Sequence, residues 1–361
     1  MNTQINALPS STWEHLGVNS AGKRAVLFSA DSKEPAPVLN ISTLPKGITL
    51  AECAPDGVGY SGIGQALDTF VKKNLNASHF ITVNDVAAAP LVLACTLNQA
   101  HPQLVLHNGI YAKAHSAVTV MEIYRSEEDT AGNAASLTQI YAKEGANIRL
   151  IQVNLLGDDC RSWNSVAVQA EADANVELVR VTLGSKNAYA GIRTVLAGKR
   201  SSFNLKQMYF GSTQQILDFN DIAEHISTQT SSEMHSAGVL ADECDKILRG
   251  TIDFKQGSAC SVGHESETVL LLSEKARNRT APLILCGEEQ VEGQHAATIG
   301  RLNQNQLYYL CSRGLTLAEA RQLMIEAQFA PALDEIPDED LRNEILSCVR
   351  RRLDEHVTFD E

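Results

Sequence analysis

The metal-capable and nucleophilic side chains of this chain are ten histidines and eight cysteines, and their spacing already narrows the chemistry. Cys53, Cys95, Cys160, Cys244, Cys260, Cys286, Cys311 and Cys348 are scattered, with no C-x-x-C pair and no ferredoxin-like run. A four-cysteine site for a stable cluster is therefore not encoded, and most of these thiols read as small buried apolar residues. His225 and His235 stand ten positions apart with no paired cysteines nearby, which does not match zinc spacing, so both read as strand or loop residues. Gly57-Val58-Gly59-Tyr60-Ser61-Gly62 fits G-x-G-x-x-G, but Ala54-Pro55-Asp56 separate it from any strand, so it reads as a glycine-rich turn rather than a dinucleotide site. There is no phosphate-binding loop and no Ser/His/Asp constellation. His295 is singled out by its position. It sits where a β region running to Ile299 gives way to a helix opening at Asn303, with Gln306 at capping-box spacing and Gly314 placed to end that helix. On the residues alone, a hydrogen-bonded structural role and a ligand role for His295 both remain open.

The elements that must position these residues are mostly strands. From about residue 90 to 300 a small or turn-forming group is followed repeatedly by apolar-polar-apolar alternation. Examples are Ala117 before Val118-Thr119-Val120, Gly145-Ala146-Asn147 before Ile148-Arg149-Leu150, Asp173-Ala174-Asn175 before Val176-Glu177-Leu178, and Ser201-Ser202 before Phe203-Asn204-Leu205. The triplets start at 118, 148, 176 and 203, giving steps of 30, 28 and 27 residues. Such a period suggests a solenoid, in which one rung cannot bury its apolar face but a stack can. A β-sandwich would also fit short strands with regular turns. Further β-like runs are Gly250–Phe254 and Val269–Leu272. The reading divides the chain into a mixed N-terminal region (1–90), a β core (91–301) and a helical segment (302–361). Prolines interrupt the first 60 residues, where only short strands and loops around runs such as Ala25-Val26-Leu27-Phe28 are expected. In the helical segment Thr316 and Glu319 form a second capping box ahead of an apolar stripe of Leu317, Ala320, Leu323, Met324 and Ala327, which Pro331 should end. Asp338 can cap a last helix whose apolar face is Leu341, Ile345, Val349 and Leu353, with Arg350-Arg351-Arg352 as a solvated face in its final turn.

Composition excludes several classes. Acidic residues outnumber basic ones 43 to 30, a net charge of −13, which disfavours nucleic acid and anionic membrane surfaces as partners. No apolar run reaches the roughly 20 residues needed to span a bilayer. The opening residues lack a basic region followed by an apolar one, so a cytoplasmic protein is expected.

The stretch Gly293-Gln294-His295-Ala296-Ala297-Thr298-Ile299-Gly300, followed by Leu307-Tyr308-Tyr309-Leu310-Cys311-Ser312-Arg313-Gly314, resembles the C-terminal signature of the SufB/SufD family. These are scaffold proteins of the SUF iron–sulfur cluster assembly system. SufD members carry roughly Cys-x-His-Gly-Ala-Thr-Val-Gly and then a helix ending Phe-Tyr-Leu-x-Ser-Arg-Gly. Weaker likeness extends back to residue 62, in Gln65-Ala66-Leu67-Asp68, Pro90-Leu91-Val92-Leu93, Val239-Leu240-Ala241-Asp242 and Leu270-Leu271-Leu272-Ser273. The resemblance implies a mainly β fold: a right-handed parallel β-helix with a small mixed N-terminal region and a C-terminal α-helical segment. It implies a SufD-like, non-catalytic scaffold subunit in the cytoplasm. Its implied partners are a SufC-type ABC ATPase and a SufB-type scaffold, or a second copy of itself. By the same resemblance His295 contributes to a nascent iron–sulfur cluster site at the partner interface. Tyr309, Arg313, Gly314 and Leu323 contact the ATPase, and no cofactor is held stably by this chain alone. Flavin binding is left open. Two departures bear on the site: Gly293 replaces the cysteine two residues before the histidine, and Ala296 replaces the glutamate that follows it in SufB members. The alternatives are a SufB-like scaffold bearing the main cluster site and a β-helix polysaccharide-acting enzyme.

Overall fold

A computed structural model describes residues 5–12, 14–22, 26–30 and 34–356 of the chain. Ala25 of the early apolar run lies outside them, and Val26 to Ala30 form neither helix nor strand. The body is a parallel β-solenoid of two facing nine-stranded sheets, so the sandwich alternative is displaced. The first sheet stacks Val38–Ile41, Leu91–Leu97, Ala117–Ser126, Asn147–Leu155, Asn175–Thr182, Ser202–Gly211, Ser231–Leu240, Ser261–Leu271 and Val291–Gly300 in that order. The second stacks Ile48–Leu50, Ala77–Val83, Gln103–Ala112, Asn133–Ala142, Arg161–Ala170, Asn187–Leu196, Ile216–His225, Asp245–Phe254 and Arg277–Cys286. The chain alternates between sheets, one strand in each per rung.

The triplets read from the sequence are the register of the stack. Val118 lies opposite Ile148, Ile148 opposite Val176, and Val176 opposite Phe203. Their side chains point between the sheets and pack with Ile140, Val166, Ile192 and Ile252 of the second sheet in one apolar cluster. The turn groups do what their composition suggested. Gly145 and Asp173 both have positive φ (64° and 56°), and the Asn175 side-chain amide donates to Asn147 Oδ1 one rung away at 3.2 Å.

The outer faces are apolar as well, and each is covered. Helix α1 (Gln65–Asn74) and the N-terminal segment place Ile5, Ile63, Leu67 and Val71 against Val105, Leu137, Trp163 and Tyr189 of the second sheet. Gly62, in the glycine-rich turn, makes this approach feasible: a Cβ there would lie 2.2 Å from the Ile192 backbone nitrogen. The first sheet's outer face, with Ile151, Val179, Met208, Phe210 and Val239, is covered by the C-terminal helices. These are α2 (Gln304–Ser312), α3 (Leu317–Leu333) and α4 (Glu339–His356). Asn303 caps α2 by accepting from the Asn305 and Gln306 amides, Thr316 and Glu319 form a reciprocal capping box, and Asp338 accepts from the Leu341 amide at 3.0 Å.

Three features of this segment differ from expectation. Pro331 does not end α3, which continues to Leu333, although the proline gives up its own bond to the carbonyl four residues back. The stripe on α3 splits: Ala320 is buried with Ile325, Phe329 and Ala332, whereas Leu317, Leu323 and Ala327 face outward. The triple arginine is not a uniformly solvated face, because Arg352 is buried and donates to Ser212 Oγ and to Asp158 Oδ1 at 2.8 and 2.6 Å. Leu341, Ile345, Val349 and Leu353 are all buried, as their spacing implied. Among the described residues no helix is long and apolar enough to cross a membrane.

Leu178 tests the stack. It is fully buried between Leu150 and Leu205 on neighbouring rungs. Leu178→Ala should destabilise the protein by about 2–5 kcal/mol through the cavity it leaves, and Leu178→Asp should abolish cooperative unfolding by burying an unpaired charge. Urea titration followed by circular dichroism, with a mainly β spectrum for the parent, measures both.

Candidate functional site

The two ends of the solenoid differ. At the start, Val38–Ile41 pairs antiparallel with Leu91–Leu97, and Ile48–Leu50 pairs antiparallel with Ala77–Val83, so short strands of opposite direction close the stack. At the far end, Arg277–Cys286 and Val291–Gly300 are the edges of their sheets, and among the described residues no strand pairs with their outer sides. From Glu292 to Ile299 every residue of the last strand is exposed. A ten-residue edge with free backbone donors and acceptors is a template for pairing with another chain.

His295 lies in the middle of this edge, opposite Glu265 of the preceding rung. Side chains alternate faces along a strand, and Glu265, Glu267 and Val269 are buried positions of that rung, with Gly263 on the same face. His295 therefore occupies the interior-facing position, exposed only because no further rung covers it. Gly293, two residues earlier on the same face, sits over an apolar floor. A Cβ there would be 3.1 Å from Ile284 Cγ2 and 3.2 Å from Phe254 Cε2. Where the SufD signature has a cysteine, this chain has hydrocarbon in the neighbouring space.

Beside the His295 position runs a polar stripe that the sequence reading missed. Glu122, Gln152, Arg180, Gln207, Ser236 and Glu267 occupy paired positions on successive rungs of the first sheet, all buried between the sheets. The signal was present: in the four triplets read from the sequence, the fourth residue after the start is 122, 152, 180 or 207, and each is polar. Glu122 accepts from Asn108, Thr138 and Gln152 at 2.7–2.8 Å. Arg180 donates to Gln207 Oε1 at 2.7 Å and to Asp221 Oδ1, on the facing sheet, at 2.8 Å. Glu267 is paired with Lys246 and accepts from the Tyr209 and Thr280 hydroxyls at 2.7 and 2.6 Å. Burial pushes the Lys246 ammonium down from its ordinary value, against the pull of Glu267.

Glu265 belongs to the neighbouring row, which is apolar until it reaches this rung: Leu150, Leu178, Leu205 and Met234 precede it, and His295 follows. Its Oε2 is buried without a hydrogen-bond partner. Burial, reinforced by repulsion from Glu267 and Asp221, raises its carboxyl to about 8.

The other sequence candidates fall elsewhere. His225 is a buried structural residue, its ring nitrogens 2.7 Å from Thr230 Oγ1 and 2.9 Å from Ser232 Oγ, and burial lowers its pKa to about 4. His235 is half-buried against Ser266 Oγ at 2.9 Å. The cysteines are less buried than their residue type suggested. Cys95, Cys160 and Cys244 are enclosed, whereas Cys53, Cys260 and Cys286 are exposed, the last two near the open end. Tyr309, Arg313 and Leu323 lie on the outer side of the C-terminal helices. Tyr309 is 55% exposed with the Arg313 guanidinium 5.1 Å from its ring centre, and Leu323 is 46% exposed. Tyr308 and Leu317, also on these helices, are exposed as well. Gly314 follows at φ 103° with open space about it, so backbone conformation rather than crowding selects glycine there.

Comparison with known proteins fits this architecture. Residues 95–328 match the family model described as SUF system FeS cluster assembly, SufBD core domain. The chain is 28% identical over 251 residues to the iron–sulfur cluster assembly protein SufD of Bacillus subtilis, an alignment covering 68% of this chain and 57% of that protein. It is 26% identical over 160 residues to SufD of Escherichia coli, covering 44% and 38%. An iron–sulfur cluster assembly SufBD family protein of Synechocystis is 23% identical over 277 residues, covering 76% and 59%. The chain thus spans about half the length of the curated relatives it matches.

Glu265 makes the electrostatics of this end measurable. Its folded carboxyl titrates above its unfolded value, so the folded state binds the extra proton and stability falls as pH rises from about 4.5 to about 8. Glu265→Gln keeps the shape without the titration. The variant should lose that part of the slope and be more stable than the parent above pH 8, by on the order of a few kcal/mol. Parallel pH–stability curves that never cross would contradict the assignment.

Proposed function

This chain belongs to the SufB/SufD family, and we propose that within it the chain is a SufD-like, non-catalytic scaffold subunit of SUF iron–sulfur cluster assembly. The observation that carries the reading is the open end of the solenoid. It offers a full-length unpaired edge with His295 facing the joint that a second solenoid would make. A SufB-type chain docking there would continue the sheets and supply the thiolate that Gly293 cannot. The nascent cluster is cargo held across the joint, with the neutral imidazole of His295 donating to iron. The absence of the glutamate at Ala296 and the similarity to two proteins named SufD favour this over a SufB-like role. A second copy of this chain could use the same edge in place of the SufB-type partner.

The ATPase surface is assigned to the outward side of the C-terminal helices, where Tyr309, Arg313 and Leu323 are exposed as apolar and cationic groups. Deleting these helices is a poor test, because α3 and α4 cover the apolar outer face of the first sheet. Point variants are better. Tyr309→Glu and Leu323→Asp should each weaken capture of a SufC-type ATPase by about tenfold or more while leaving the unfolding midpoint unchanged, as expected of central contacts in an interface. For the joint, His295→Ala should leave the complex with the SufB-type partner intact, since one imidazole is little area. Iron and sulfide bound per assembled complex should drop several-fold. An unchanged iron and sulfide content per complex would remove His295 from the site and reduce it to an interface residue.

A further inference from the structure

Away from the open edge and the Tyr309 surface, two turns of the solenoid and the end of α4 enclose a cavity of about 390 Å3. The turns are 126–130 and 155–159, braced where the Gly157 amide donates to Ser126 Oγ at 2.9 Å. Five carboxylates line the cavity against two guanidiniums. Arg352 is engaged by Asp158, Ser212 and Gln215, and the exposed Arg351 has Nη2 3.8 Å from Cys348 Sγ. Glu127, Glu128, Asp129 and Asp159 are exposed and, among the described residues, have no ion-pair partner. Like charges on neighbouring turns repel one another, and no contact within the chain offsets that repulsion. Acids alone would be a solvated rim; unmet hydrogen bonding beside them distinguishes this cavity. Thr130 is 2% exposed with a hydroxyl that has no partner, and Arg352 is 4% exposed with Nε unpartnered. Both line the same cavity, and Leu155, Leu156 and Leu183 give it an apolar floor. A buried polar group left unpaired is costly, so a guest that answers these two groups is favoured.

We propose that this cavity docks a basic peptide segment of a partner protein, with a lysine side chain of the segment entering it. The ammonium group supplies the counter-charge that Glu127, Asp129 and Asp159 lack, and the methylene stem lies on the leucines. The Thr130 hydroxyl can accept from the ammonium, whereas Arg352 Nε can only donate. That donor calls for an acceptor, which a main-chain carbonyl provides and a bare polyamine does not. The chain's net charge of −13 draws such a segment in from a distance.

The probe is an acetylated pentapeptide of alternating glycine and lysine carrying a neutral fluorophore, titrated with the purified full chain at about 50 mM salt so that screening is weak. Fluorescence anisotropy should report one equivalent bound. Combining Glu127→Gln, Asp129→Asn and Asp159→Asn should weaken binding by about tenfold or more. Combining Glu52→Gln, Glu289→Gln and Glu292→Gln removes the same charge from exposed sites elsewhere and should change it by less than about twofold. Thr130→Val, which removes a hydroxyl and no charge, should weaken binding several-fold. Thermal unfolding shows that each variant is folded before it is titrated. Equal losses from the two triple variants, or a Thr130→Val variant that binds like the parent, would mean diffuse attraction to an acidic surface and overturn the site. A parent chain that does not bind the peptide, or that binds its norleucine counterpart equally well, would overturn it too. Spermidine matching the peptide in affinity would overturn the assignment to a peptide. None of these outcomes involves cluster assembly, so the scaffold reading stands or falls separately.

Discussion

Parallel rungs must stack in register, and every other feature of the molecule follows from that requirement. A strand presents alternate side chains to opposite faces, and a slip of one residue would turn the interior of a rung outward. The register Val118, Ile148, Val176 and Phe203 therefore has to hold at every step. Once it holds, anything repeated at a fixed offset becomes a continuous line through the molecule. The apolar core is one such line. The polar stripe from Glu122 to Glu267 is another.

A polar line inside a solenoid is tolerated because its charged members meet partners across both sheets, although Gln152 Oε1, Arg180 Nε and Nη2 and Asp221 Oδ2 are left without a hydrogen bond. Glu122 collects four donors, from Asn108, Tyr124, Thr138 and Gln152, Arg180 spans to Asp221, and Lys246 meets Glu267. Removing one partner from such a pair leaves an uncompensated charge in a low-dielectric interior, which is more damaging than the pair itself is stabilising. The stripe is thus a source of specificity in the register more than of stability. Glu265, one row over and beside the end where the stack stops, likewise has Oε2 without a hydrogen bond.

Stacking also explains why the solenoid needs its flanking segments. Its sheets are apolar on both faces, so each outer face requires a cover. Ion pairs fix the C-terminal cover in place: Arg125 with Glu344 at 2.5 Å, Arg149 with Glu335 at 2.8 Å, and buried Arg352 with Asp158 at 2.6 Å. The exposed patch around Tyr309 and the open edge around His295 are carried by elements joined directly at 300–304, on a common frame. Two such surfaces on one frame suit the proposed role of a subunit that holds two partners at once.

The choice of a solenoid over a β-sandwich came from the family resemblance, whereas the repeat of the strands, its register and the capping of the C-terminal helices were legible in the residues alone. Each of these is local or periodic: small turn groups, alternating apolar residues at steps of 30, 28 and 27, and side-chain caps within three residues of the amides they serve. His295 was isolated in the same way, through a motif of contiguous residues. Relations between distant residues emerged only from the folded chain. The pairing of Glu265 with His295, and the space that Gly250 leaves for Glu265, depend on which rung stacks on which. The burial of Arg352 depends on helix α4 lying over a loop almost two hundred residues away. The division of the α3 stripe into a packed and an exposed half follows from how that helix is rolled against the first sheet. Helical periodicity places residues on faces of a helix, but which face meets the sheet is set by the shape and charge of the surface it covers.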